Sequence, residues 1–152
     1  MRIFLITVLI GFLVLSFRPG EPVATLNCKS ESGRTTFTAT LPDCSYLEKA
    51  ELSIDGSKLV FSISDKGNII FDENSRVFTI CLESNTRDKA SKFLKFWAVP
   101  SSFRKVKSEK GTGTQFHDIY EFRAKLYATE PRSVKEPHTK TIDLICTLDY
   151  EL

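Results

Sequence analysis

Ile119–Thr129 (IYEFRAKLYAT) and Thr139–Tyr150 (TKTIDLICTLDY) decide the fold class of this chain. In the first, Tyr120, Phe122, Ala124, Leu126 and Ala128 fall on one side, and Glu121, Arg123 and Lys125 on the other. In the second, Ile142, Leu144, Cys146 and Leu148 share a face. A period of two is the signature of a strand with one buried face, whereas a helix wants apolar residues three and four apart. Both segments therefore read as long amphipathic strands.

Working outward, the same pattern recurs in shorter pieces. Thr35–Leu41 (TTFTATL) alternates around Phe37 and stops at Pro42-Asp43. Glu51–Ile54 and Leu59–Ser64 flank Asp55-Gly56, a pair that accepts the positive φ angles of a type I′ hairpin turn. Leu59, Phe61 and Ile63 are expected on one face. Asp65–Asn68 reads as a second turn before Ile69-Ile70-Phe71, and Asp72–Ser75 as a third before the strand Arg76–Glu83. Regularly spaced strands with turn signals argue an all-β, antiparallel, immunoglobulin-like β-sandwich with seven or eight strands.

Glu83–Asp118 breaks the rhythm. Lys92–Trp97 is compatible with an edge strand or with one turn of amphipathic helix. From Arg87 to Lys110 there are eight basic and two acidic residues, and Gly111–Thr114 reads as a flexible tip. Basic side chains interleaved with aromatic ones suit an anionic glycan, a membrane surface or an acidic partner protein, and a tryptophan is a frequent interface anchor, so an extracellular protein or an anionic glycan is the expected partner. Phe93, Phe96, Trp97, Arg104, Lys105 and Lys107 are thus the candidate partner-binding residues. The bland account is that the aromatics fill the core while the lysines form its solvated back, where charge on an edge strand also discourages aggregation.

The N-terminus places the domain. Arg2 precedes the fifteen-residue apolar run Ile3–Phe17, and Arg18-Pro19-Gly20 follows it. This is the layout of a secretory signal peptide, short of the roughly 20 residues that span a bilayer. Residues 1–20 are read as the signal, with cleavage between residues 16 and 24, and residues 21–152 as one secreted domain without a stable membrane span. Loss of Arg2 and Arg18 takes the formal charge from +2 to neutral, which removes the argument for nucleic acid as a partner.

Export makes an even number of cysteines a disulfide framework. Cys28, Cys44, Cys81 and Cys146 are widely spaced, with none of the close pairs that structural zinc sites use. Nested bridges, Cys28–Cys146 with Cys44–Cys81, would tie the first strand to the last and cross-link the strands between them. An immunoglobulin-like Cys28–Cys81 bridge competes, although the tryptophan expected between those cysteines is missing, since the single one is Trp97. His117 and His138, the two histidines, sit in polar, turn-like surroundings. No nucleophile elbow, phosphate-cradling loop or histidine-pair metal motif accompanies them. Neither catalysis nor a metal or other cofactor is expected. The twelve phenylalanines also admit a carrier of a lipid or similar apolar ligand, held between two parted sheets.

The segments Phe122–Tyr127 (FRAKLY), Pro131-Arg132 and Thr141–Cys146 (TIDLIC) together resemble the closing strands of zona pellucida N-type (ZP-N) modules. They are most similar to the small oocyte-secreted and placenta-specific proteins built on that module. Arg76–Cys81 (RVFTIC) is similar to the family's third-cysteine strand, although Leu82 stands where the family often has glycine. The resemblance implies an immunoglobulin-like sandwich with first-to-fourth and second-to-third bridges, here Cys28–Cys146 and Cys44–Cys81. It also implies a non-enzymatic, extracellular protein-interaction module of egg coats or reproductive secretions.

Overall fold

The computed structural model describes residues 23–84, 92–129 and 139–151. Ten strands lie in one antiparallel sheet: β1 (Val23–Lys29), β2 (Thr35–Pro42), β3 (Lys49–Ile54), β4 (Ser57–Ser62), β5 (Lys66–Asp72), β6 (Val77–Glu83), β7 (Phe93–Ala98), β8 (Arg104–Lys110), β9 (Phe116–Thr129) and β10 (Thr139–Glu151). The hydrogen-bonded order is β4-β3-β2-β1-β10-β9-β7-β6-β5, with β8 on β9. An all-β antiparallel fold is what the alternation predicts. The described strands are hydrogen-bonded into one continuous sheet. β10 pairs with β1 along one edge and β9 along the other, so the ladder runs unbroken from one half to the other. The sheet ends, β4 and β5, are consecutive in the chain with only Ile63–Asp65 between them. The sheet must therefore curl until its two ends meet at that corner.

Turn chemistry sets the hairpins. Asp55 and Gly56 have φ of 50° and 81°, both positive as a type I′ turn requires. Lys66–Asn68 belongs to β5 and not to a turn, because Lys66 pairs with Glu83 and Asn68 with Cys81. Lys92–Trp97 is neither edge strand nor helix. β7 lies inside the sheet, between β6 and β9. A 3-10 turn, Pro100–Ser102, then carries the chain past a short gap, and β8 continues along the same edge of β9.

The inner faces pack against each other. Phe37 of β2 meets Phe96 of β7 across the interior, with ring centroids 5.5 Å apart. Phe96 and Phe122 meet Phe78 edge-to-face, at 5.6 and 5.9 Å, a favoured geometry for aromatic rings. Ile63, expected beside Leu59 and Phe61, is 69% exposed because β4 ends at Ser62. The loop after β2 packs on the core through Cys44 and Leu47. Its Leu47 is buried, and a Cβ on Gly67 would lie 3.2 Å from Leu82 and 4.0 Å from Leu47. Glycine there spares the Leu82 side chain a tight contact across the β5–β6 pair.

Cys28 and Cys146 stand directly opposite each other on β1 and β10 and form a disulfide, with Cα atoms 4.1 Å apart. The second expected bridge is not formed. Cys44 is buried at the end of the loop turn, while Cys81 is exposed on β6, among the residues that face away from the core. Burial, with help from the Asp43 carboxylate, pushes the Cys44 thiol up to about 12, which leaves almost no nucleophilic thiolate at neutral pH.

Three outcomes follow. Replacing Cys28 and Cys146 by alanine is expected to cost about 3–5 kcal/mol in a denaturant titration, because the bridge closes a loop with a separation of 118 residues. Phe96→Ala is expected to cost about 3–5 kcal/mol by the same measurement. Iodoacetamide at pH 8 should alkylate Cys81 in the native protein and Cys44 only after unfolding. Equal labelling of both would contradict the buried position of Cys44.

Candidate binding surface

β7 sorts the aromatic candidates by alternation. Leu94, Phe96 and Ala98 point inward, and Phe93, Lys95 and Trp97 point outward. Phe96, fully buried, belongs to the core and not to a contact surface. Phe93 and Trp97 are half-buried on the outer face.

The basic candidates lie on β8 and are already engaged. Arg104 Nη2 donates to Glu121 Oε2 at 2.7 Å, and Lys107 Nζ lies 3.1 Å from Glu109. Lys105 reaches inward. Its ammonium is 2.8 Å from both Glu73 Oε1 and Asp118 Oδ2, and 5.2 Å from the centroid of the Tyr120 ring. Ser108 Oγ donates to the other Asp118 oxygen at 2.6 Å, and the Tyr120 hydroxyl donates to Glu73 at 2.9 Å. Five side chains thus pin the β5–β6 turn to β8 and β9. The local excess of positive charge read from the sequence is largely neutralised where Arg104, Lys105 and Lys107 stand.

A different surface assembles on the outer face of β5, β6, β7 and β9. Register places Ile70, Thr79, Trp97 and Lys125 in one cross-strand row. Asn68, Cys81, Lys95 and Tyr127 form the next row, and Lys66, Glu83 and Phe93 the third. Side chains in such rows are direct neighbours. Phe93 and Tyr127 pack at 5.5 Å, and Ile70 is 50% exposed. Beside them an open groove of about 520 Å³ is lined by Lys66, Asn68, Cys81, Glu83, Phe93 and Lys95 among others. Phe93 and Trp97 were legible in the sequence. Tyr127 was not singled out, although it continues the polar side of β9 after Glu121, Arg123 and Lys125. Ile70 and Cys81 gave no signal, since only register brings β5 and β6 beside Trp97.

The histidines differ from expectation too. His117 lies within β9, half-buried, with Nε2 2.7 Å from Asp149 Oδ1, and is not a loop residue. His138 lies outside the described residues. Among the described residues no three His, Cys, Asp or Glu side chains group as metal ligands, and no helix is long and apolar enough to cross a membrane. A scan against protein-family models finds no match, and searches of curated proteins and of solved structures find none either.

The pin has a pH signature. Burial pushes the Asp118 carboxyl up, but hydrogen bonds from Lys105 and Ser108 outweigh it and hold the group below the usual aspartate range. Bonds to Asp118 and then Glu73 raise Lys105 above the usual lysine value. The Asp118 contribution is therefore present above the unfolded value, about 3.9, and lost as pH falls through the lower folded one. The Lys105 contribution is complete below about 10.4 and lost as pH rises through its higher folded value. Lys105→Met should cost about 1–3 kcal/mol at pH 7, since it leaves Asp118 with only hydroxyl partners in a buried setting. The difference from the parent protein should narrow as pH falls through the lowered folded value of Asp118 and the carboxylate is neutralised. A pH-independent difference in Tm across pH 2–7 would show that packing, not charge, carries it.

Proposed function

We propose that this chain is an exported binding module that recognises another extracellular macromolecule through the outer face of β5, β6, β7 and β9. One observation carries this reading: Trp97, Tyr127, Phe93 and Ile70 share a solvent-facing sheet surface instead of entering the core. Aromatic side chains so placed supply large contact area at low conformational cost. The signal-like residues 1–20 and the Cys28–Cys146 bridge support export and a secreted domain over residues 21–152. Cys44 and Cys81 add no second bridge to that argument.

The ZP-N-like, immunoglobulin-like sandwich stays part of the proposal. It draws on the first-to-last bridge and on the strands that carry the FRAKLY and TIDLIC segments, which pair as β9 and β10. A role in gamete or egg-coat recognition rests on that resemblance. An extracellular protein is the partner class proposed, and no catalytic step is invoked. The carrier of an apolar ligand has less behind it, because Phe37 and Phe96 meet inside the curl where such a ligand would lie.

The test is a screen of the secreted chain against an array of extracellular ectodomains, repeated with Ile70→Glu and Trp97→Ala. Each substitution should weaken a genuine partner by tenfold or more. Ile70 is half-exposed, so Ile70→Glu should leave Tm nearly unchanged. Partners that bind both variants as tightly as the parent would place recognition elsewhere.

A further inference from the structure

Several lysines on this side of the molecule are already committed. Lys105, Lys107 and Lys125 each have a carboxylate within 3.2 Å. Lys66 and Lys95, which flank the groove, have no ion pair among the described residues. Glu83 lies between them in the same lining, so the groove carries one net positive charge. An unpaired, solvated ammonium keeps its charge for an incoming anion, whereas a paired one must first break its bond.

We propose that this groove binds a carboxylate-bearing sugar unit of a glycan, an inference that rests on the binding-module reading above and names a ligand for one end of that surface. The volume of about 520 Å³ lies in the range of small-ligand clefts. The half-buried ring of Phe93, backed by the Tyr127 ring, forms an apolar wall, against which the C–H face of a pyranose packs. The Asn68 amide and Glu83 carboxylate are placed to bond hydroxyls, as donor and acceptor and as acceptor alone. Lys66 and Lys95 bracket the position for a single negative group. One net charge matches one carboxylate and not a densely sulfated chain, which would need a row of free cations.

The experiment uses saturation-transfer NMR and titration of the secreted, full-length mature protein with sialyllactose, a hyaluronan hexasaccharide, lactose and a heparin hexasaccharide. One of the two carboxylate sugars should bind at least tenfold more tightly than lactose. Lys66→Glu with Lys95→Glu should abolish that preference, and Phe93→Ala should weaken binding of the same sugar by tenfold or more. Lys58→Ser, on β4 and paired with Glu51, serves as the control and should bind as the parent does. The proposal is overturned by no transfer to either carboxylate sugar, by binding that ignores the double substitution, or by heparin as the tightest ligand. The ectodomain screen separates the two readings. If sugars fail while Ile70→Glu still weakens a protein partner, only the sugar site falls, and if both fail the binding face falls with it.

Discussion

The antiparallel pairing of β9 with β10 is the constraint on which the rest of this structure depends. It runs from Thr139↔Thr129 to Glu151↔His117, the longest ladder in the sheet. β10 then carries β1 and, through it, β2, β3 and β4. β9 carries β7 with β6 and β5 on half of its free edge, and β8 on the other half. No other hydrogen-bonded strand pair joins the two halves among the described residues. The inner faces of the two central strands, Tyr120 to Ala128 and Ile142 to Leu148, are buried almost throughout. A one-residue slip would expose that whole set, so the register is strongly specified.

That ladder was also the most legible part of the sequence, and for the same reason. A long strand with one buried face repeats its pattern often enough to exclude a helix, and the Asp55-Gly56 pair announces its turn through backbone chemistry. Lys92–Trp97 was illegible because alternating lysine and aromatic residues suits an edge strand, an inner strand with one wet face and a helical turn alike. Its place between β6 and β9 comes from partners distant in sequence. Phe96 shows the limit at one residue. Its neighbours Lys95 and Trp97 make it look like part of a sticky surface, yet the pleat turns it inward. Lys66–Asn68 misleads in the other direction, since polar and glycine residues that resemble a turn form a strand on the rim of the sheet.

Electrostatics rearranges the map that composition suggests. A run of basic residues in sequence is not a basic field in space, because strand pairing delivers Glu121 opposite Arg104 and brings Glu73 and Asp118 to Lys105. Lys66 and Lys95, with no ion pair among the described residues, sit instead on β5 and β7, near Phe93 and Tyr127. Local charge counts therefore do not say on which face of the molecule uncommitted cations stand.

The β1–β10 pairing has a consequence for how the protein is made. The strands that meet at Cys28 and Cys146 are the first and last of those described, and the bridged residues are 118 positions apart. During synthesis β1 through β4 emerge as a meander whose β1 edge has no mate until the last strand arrives. Such high-separation contacts make folding slow and leave a strand edge open in the interim. The Cys28–Cys146 disulfide can therefore form only after β10 has been made.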